Sequence, residues 1–202
     1  MFYCFDGIDG AGKSTQLRLF CEWLAERGQS VVTCRDPGGT ELGERVRSLL
    51  LHDETQVGLN AEMLLYMASR AQLVEQVIRP ALDRGETIVS DRFVTANIVY
   101  QGHAGGLDVE QVRAVGQAAT GGLRPDCTFL FDMDPDAALA RIGREPDRIE
   151  SRGADYRQKV RNGFLLEARR APETMHVIDA SGAVEEIQAR IREIAAQLDA
   201  SD

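Results

Sequence analysis

Five short apolar or β-branched runs punctuate the chain, at Phe2 to Phe5, Val31 to Cys34, Thr87 to Val89, Thr128 to Phe131 and Met175 to Ile178. Longer segments of helical period lie between them. That alternation predicts an α/β fold, a parallel sheet with helices on both faces. In the last segment Val184, Ile187, Ile191, Ile194 and Leu198 step by three and four along one stripe with charge opposite, which predicts a helix packed on the sheet. Gln16 to Arg27 reads as a helix stopped by Gly28, Val109 to Ala119 as another, and Leu59 to Leu82 as a long helix kinked or broken before Pro80. Asp36 to Thr40 and the charged run Arg141 to Arg152 read as mobile loops. No internal repeat, low-complexity tract or interdomain linker interrupts the pattern, so the 202 residues are expected to form one domain, 1–202.

Between the first run and the first helix, Gly7, Ile8, Asp9, Gly10, Ala11, Gly12, Lys13 and Ser14 fit the phosphate-loop pattern at every fixed position, with Thr15 following. These residues are expected to hold ATP. Three glycines let the backbone turn tightly and aim N–H groups at phosphate oxygens, and a helix starting near Lys13 adds the positive end of its dipole. Of the 23 basic residues 21 are arginine, so a lysine at the position that reaches the β- and γ-phosphates is pointed. The bland reading is a glycine-rich turn that binds nothing, and the completeness of strand, loop and helix argues against it.

A formal charge of −9 speaks against a general nucleic-acid binder, which needs a positive footprint. Cys4, Cys21, Cys34 and Cys127 form no C-x-x-C pair and read as reduced thiols. The opening residues carry no secretory pattern, and no uncharged stretch is long enough to span a bilayer. A soluble, cytoplasmic protein without a membrane partner is expected.

The third apolar run is followed by Ser90, Asp91, Arg92 and Phe93, which places Asp91 and Arg92 at the carboxyl end of a central strand, where open α/β sheets bind ligands. Asp91 could hold a magnesium ion through water, and Arg92 could grip an acceptor phosphate. The other reading is a structural salt bridge; the neighbouring phosphate loop favours function.

With Phe5 to Thr15, Arg35 to Thr40, Ser69 to Gln72, Asp91 to Phe93 running on to Val99 to Gly102, Arg124 to Asp126 and Asp147 to Glu150, the sequence resembles the bacterial thymidylate kinases along nearly its whole length. The resemblance implies a P-loop kinase whose five-stranded sheet has the order 2-3-1-4-5. It implies transfer of the γ-phosphoryl group of ATP to dTMP, giving dTDP and ADP for dTTP synthesis, with Mg2+ held through Ser14 and Asp91. It also implies a homodimer, with the Leu59 to Leu82 and Val109 to Ala119 helices as contacts. By position, Tyr66 is the aromatic that stacks on thymine, Arg70 reaches the base carbonyl, Asn97 contacts the base, and Tyr100 lies under the sugar and leaves no room for a 2′-hydroxyl. Gln101 joins the substrate-binding group. Asp9 approaches the acceptor's sugar and phosphate, Arg92 grips that phosphate, and the segment from Arg35 covers it.

Two departures stand out. Ala96 replaces the family's usual serine, and Gly10 stands where some relatives carry a catalytic arginine inside the loop. The resemblance then assigns that charge to a mobile lid around 141–153, through Arg144, Arg148 and Arg152. The catalytic set is thus Lys13, Arg92 and the lid arginines. Bland readings stand beside these: Tyr66 as one member of an apolar helix stripe, and the lid run as a solvated surface. Arg70, four residues beyond Tyr66, shares its face and needs an acceptor if buried. None of His52, His103 and His176 is assigned to catalysis; His103 reads as a loop residue and His176 as core. A nucleotide phosphate with a second pKa of about 6 is largely dianionic at neutral pH and needs no general base. The rivals are a P-loop kinase for another nucleotide, nucleoside or metabolite, a GTPase-like switch, for which the Asn-Lys-x-Asp motif is missing, and a non-catalytic scaffold.

Overall fold

The computed structural model describes residues 1–51, 55–143 and 152–199. Among them β1 (Phe2–Gly7), β2 (Val31–Arg35), β3 (Thr87–Asp91), β4 (Cys127–Asp132) and β5 (Met175–Asp179) form one parallel sheet in the order β2-β3-β1-β4-β5. Each strand runs past its apolar stretch, because ladder hydrogen bonds need only backbone. The extensions carry Asp6, Arg35, Asp91, Asp132 and Asp179 to one edge of the sheet. Register sets Phe5 opposite Asp91, and Arg35 opposite Asp91 from the other side.

The helices are α1 (Lys13–Glu26), α2 (Glu41–Leu51), α3 (Leu59–Leu73), α4 (Arg79–Asp83), α5 (Val94–Asn97), α6 (Val109–Thr120), α7 (Pro135–Ala140), α8 (Ala154–Arg170) and α9 (Val184–Asp199). Successive β1 side chains point to opposite faces, and both faces are covered, which is why the strand reads as an unbroken apolar run. Tyr3 and Phe5 enter one core with Phe20 of α1 and Phe129 of β4, whose rings lie 5.0 to 5.6 Å from that of Phe20. Phe2 and Cys4 enter the other, with Leu73, Ile78 and Phe93. The α9 stripe packs as its period predicts at Ile187, Ile191 and Ile194, whereas Val184, in the first turn, is exposed.

The structure adds to three local readings. The Leu59 to Leu82 helix is interrupted before Pro80, as expected, and the interruption is a π-helical turn, Val74–Ile78, after which Pro80 sits in the first turn of α4, where a missing N–H is tolerated. His103 is no loop residue: it ends a second π-helical stretch, Ile98–His103, and its Nε2 lies 2.8 Å from Glu167 Oε1. The Asp36 to Thr40 segment is a loop but a tethered one. Asp36, Pro37 and Gly38 are buried, the Asp36 N–H donates to Asp91 O at 3.0 Å, and Gly39 N–H donates to Glu44 Oε1 at 2.9 Å. The four cysteines are free thiols, Cys4 and Cys127 buried. Arg144 and Arg148 lie outside the described residues, so the lid assignment meets the structure only at Arg141 to Gly143 and at Arg152 and Gly153.

Gly10 has a positive φ of 83°, and a Cβ there would run into the carbonyl oxygen of Ala138 in α7. An arginine inside the loop is therefore closed to this chain by backbone, not only absent from it. Gly10→Arg should lower Tm by several degrees, at about 2–4 °C per kcal/mol for a chain of this size, with strain of about 1–3 kcal/mol from the φ alone. Thermal unfolding followed by circular dichroism measures this, and an unchanged or higher Tm would contradict it.

Candidate active site

The phosphate loop takes its shape from Gly7, Gly10 and Gly12, all at positive φ, and from α1, which starts at Lys13 directly behind it. Among the described residues a Cβ added at Gly12 meets nothing, so what calls for glycine there is its conformation. The Lys13 ammonium folds back over the loop and donates to Gly7 O at 3.1 Å and Ile8 O at 2.7 Å. Burial, and then the charge of Arg92, lower the Lys13 pKa, with Asp9 opposing them.

Arg92 follows β3 and is the one non-glycine residue at positive φ among the described residues, at 71°. Its guanidinium reaches over β1 to the loop. Nη1 donates to Asp6 Oδ1 at 3.1 Å and Gly7 O at 2.9 Å, and Nη2 donates to Asp9 Oδ1 at 2.6 Å. It stacks 5.1 Å from the centre of the Tyr100 ring, whose hydroxyl donates to Asp9 Oδ2 at 3.3 Å. Burial works against the Arg92 charge, but Asp9, Tyr100 and Asp6 outweigh it and raise its pKa further. Burial likewise opposes the Asp9 charge, yet Arg92 and Lys13 hold that carboxyl below the ordinary range. The reading of Asp91 and Arg92 as a salt bridge to each other does not hold: Arg92 is salt-bridged to Asp6 and Asp9.

A cavity of about 500 Å³ opens on this group. From the loop it takes Asp9, Lys13, Ser14 and Thr15, and from the end of β3 Asp91 and the following Arg92. Its far wall is Tyr66 and Arg70 of α3 with Ala96, Asn97, Tyr100 and Gln101. Glu62, Tyr66 and Arg70 share one face of α3 by their spacing of four. Arg70 is 1% exposed and finds the acceptors its burial demands: Nε pairs with Asp36 Oδ2, and Nη2 donates to Asn97 Oδ1 at 2.6 Å and Phe93 O at 3.2 Å. Nη1 meets only the weakly accepting Met67 Sδ among the described residues.

The structure thus gathers Asp9, Lys13, Ser14, Arg35, Asp91 and Arg92 with the Tyr66 and Arg70 wall. It does not bring Arg152 to the cavity. Arg152 Nη2 donates to Glu62 Oε2 at 3.1 Å and Nη1 to Tyr156 Oη at 3.1 Å. Arg47, which the sequence reading passed over, and Arg141, which it placed in the lid run without a role of its own, do line the cavity. Arg47 Nη1 donates to Pro37 O at 3.1 Å and Arg141 Nη1 to Ala180 O at 3.2 Å. Their only signal in the sequence was charge within helical or charged segments, which is a weak one.

The residues present fit a magnesium ion. Asp91 Oδ1 is buried with no hydrogen-bond partner among the described residues, and Ser14 stands at the same cavity. No cluster of three or more His, Cys, Asp or Glu able to hold a metal occurs among the described residues. That suits Mg2+, which takes one or two protein oxygens and completes its shell with phosphate and water.

A family model described as thymidylate kinase matches residues 5–191. The chain is 46% identical to a thymidylate kinase of Symbiobacterium thermophilum, over 96% of this chain and 92% of the relative. It is 44% identical to one of Rhodopirellula baltica, over 94% and 77%. Among solved structures it resembles the thymidylate kinase of Ehrlichia chaffeensis, with a TM-score of 0.80 and 30% identity over 96% of this chain and 98% of that one. The chain belongs to the thymidylate kinase family.

Asp6 lends itself to a pH test. It is fully buried, Oδ1 accepts from Arg92 and from Gly7 N–H at 3.0 Å, and Oδ2 has no partner among the described residues. Burial pushes its pKa up to about 6 against the pull of Arg92, the Gly7 N–H and Lys13. The folded chain therefore holds a proton that the unfolded chain releases, and the stability tied to it is lost as pH rises from the ordinary value of 3.8 through about 6. Asp6→Asn keeps an Oδ1 acceptor without the charge. It should raise Tm near pH 7.5, by a margin that shrinks below about pH 6 and vanishes near pH 4. A Tm difference independent of pH would contradict this.

Proposed function

We infer that the chain transfers the γ-phosphoryl group of ATP to dTMP, giving ADP and dTDP for dTTP synthesis, with Mg2+ as cofactor. The observation that carries this reading is a single cavity in which phosphate-loop residues, Asp91 and Arg92 meet a wall of Tyr66, Arg70, Asn97 and Gln101. The loop N–H groups and Lys13 bind the β- and γ-phosphates of ATP, where fixed donors stabilise charge that develops during transfer. Ser14 and Asp91 would hold Mg2+, which would supply positive charge to offset that of the ATP phosphates. Arg92 turns from Asp9 to the acceptor phosphate, which displaces one carboxylate with another anion. Asp9, released, accepts from the sugar. Tyr66 stacks on the base, Arg70 donates to its O4 through Nη1, and Tyr100 fills the space of a 2′-hydroxyl.

No base is required, because the acceptor oxygen is already ionised at neutral pH. Arg35, whose Nη2 donates to both carboxylate oxygens of Glu44 at 3.1 and 3.0 Å, and Arg47 add positive charge beside the acceptor phosphate. The remaining charge on the transferring group is assigned to arginines of the 141–153 lid, with Arg141, already on the cavity wall, joining Arg144 and Arg148. Arg152 is assigned to Glu62 instead. We further propose a cytoplasmic homodimer in contact through α3 and α6, with nucleotides and neither nucleic acid nor membrane as partners. The charge of −9 favours that choice, and no helix among the described residues is long and apolar enough to cross a membrane.

Release of ADP from ATP and Mg2+ with a panel of acceptors tests the reading. The expected order of kcat/KM is dTMP first, dUMP lower by about 10- to 200-fold for its missing methyl, and dCMP far below, since Arg70 would face its amino group donor to donor. Arg70→Ala should compress the dTMP to dCMP ratio while leaving the dTMP to dUMP ratio nearly unchanged. A wild-type enzyme that uses dCMP as well as dTMP, or that turns over ATP equally without an acceptor, would overturn the assignment.

A further inference from the structure

Behind the base wall the side chains continue into a directional chain of hydrogen bonds. Arg70 Nη2 donates to Asn97 Oδ1 at 2.6 Å, Asn97 Nδ2 to Gln101 Oε1 at 2.7 Å, and Gln101 Nε2 to Glu62 Oε1 at 2.8 Å. Arg70, Asn97, Gln101 and Glu62 are each at most 2% exposed. A guanidinium can only donate and a carboxylate can only accept, so the two ends dictate which way both amides face. Glu62 is not on the cavity wall, whereas Asn97 and Gln101 are. Gln101 thus turns its NH2 group toward a buried carboxylate, and its carbonyl, which accepts from Asn97, keeps a second lone pair for whatever lies in the cavity.

We propose that Glu62 is a specificity-determining positioning residue: by holding the Gln101 amide with its carbonyl available to the base, it selects pyrimidines that carry a proton on N3. The proposal rests on the thymidylate reading of the cavity and deepens it. Thymine presents a donor at N3 and cytosine an acceptor, so a carbonyl at Gln101 accepts from the first and repels the second. Arg70 discriminates at position 4 of the ring and Gln101 at position 3, and one chain of hydrogen bonds keeps both in register. Arg152 supports the arrangement from the solvent side, its Nη2 at 3.1 Å from Glu62 Oε2 and its own side chain 28% exposed. It balances the charge that Glu62 places in the interior.

Without an acceptor at position 62 the Gln101 NH2 group is a buried donor with no partner, a costly state that a cytosine N3 would relieve and a thymine N3–H would not. Glu62→Met achieves this, as does Glu62→Met with Arg152→Met, which exchanges the ion pair for apolar side chains of similar volume and is the variant better placed to keep its fold. Either should cut kcat/KM for dTMP mainly through KM, leave that for dCMP unchanged or higher, and compress the dTMP to dCMP ratio by at least about tenfold. Glu62→Gln can still offer an oxygen to Gln101 Nε2, because Arg70 polarises the chain from its other end. It should therefore keep the ratio within about threefold of wild type. Thermal unfolding identifies which Met variant is folded, and that one is assayed. Proportional loss for both nucleotides in the folded Met variant overturns the proposal and leaves Glu62 a purely structural residue. A wild-type enzyme that fails to phosphorylate dTMP overturns the thymidylate reading itself, and the proposal with it, before any variant is made.

Discussion

Arg92 is held in a left-handed conformation at the end of β3, and the site is arranged around that one residue. A φ of 71° costs an arginine about 1–3 kcal/mol. The structure sustains it from two sides: the Arg92 N–H donates to Phe5 O at 2.9 Å, and Ser90 Oγ donates to the Arg92 carbonyl at 2.7 Å. The turn sends the guanidinium back across β1 to Asp6, Gly7 and Asp9 instead of outward along the strand. Only a parallel order that sets β3 beside β1 makes that reach possible. Fold topology, local strain and the charge of the site are therefore one constraint.

Most of the cation in the cavity is already partnered by carboxylates within the chain. Arg92 has Asp6 and Asp9, Arg70 has Asp36, Arg35 has Glu44. A buried pair contributes little net stability, but a lone buried charge costs several kcal/mol, so the carboxylates keep the guanidinium groups tolerable and aimed. The partners differ in how readily they give way. Asp36 and Arg70 are both almost wholly inaccessible, which leaves no room for an outside anion to replace that carboxylate. Asp9 is about a third exposed and opens on the cavity, so an incoming phosphate can take its place on Arg92.

The sheet was legible in the sequence because strands buried on both faces write continuous apolar runs, as β1 and β4 do. The phosphate loop was legible because its chemistry needs fixed local spacing. What escaped the reading depends on distance along the chain. Arg152 meets Glu62 across 90 residues and Gln101 meets Glu62 across 39, and no periodicity encodes such pairs. The lone hint was the spacing of four that aligns Glu62 with Tyr66 and Arg70. His103 read as loop beside its glycines, yet Glu167, 64 residues on, secures it in a helical turn. The break before Pro80 was legible, but not that it takes the form of a π-turn at Val74–Ile78, because α- and π-helical turns draw on the same residues.

Paired titration calorimetry of dTMP and thymidine against the wild type and Arg92→Met tests the proposed exchange of Asp9 for phosphate on Arg92. The two ligands differ only in the phosphate. The account predicts that wild type binds dTMP at least about tenfold more tightly than thymidine, the scale of one charge-assisted contact, and that Arg92→Met erases most of that difference while thymidine affinity stays within about threefold. An Arg92→Met protein that keeps the full preference for dTMP, or loses both ligands in equal measure, would contradict it.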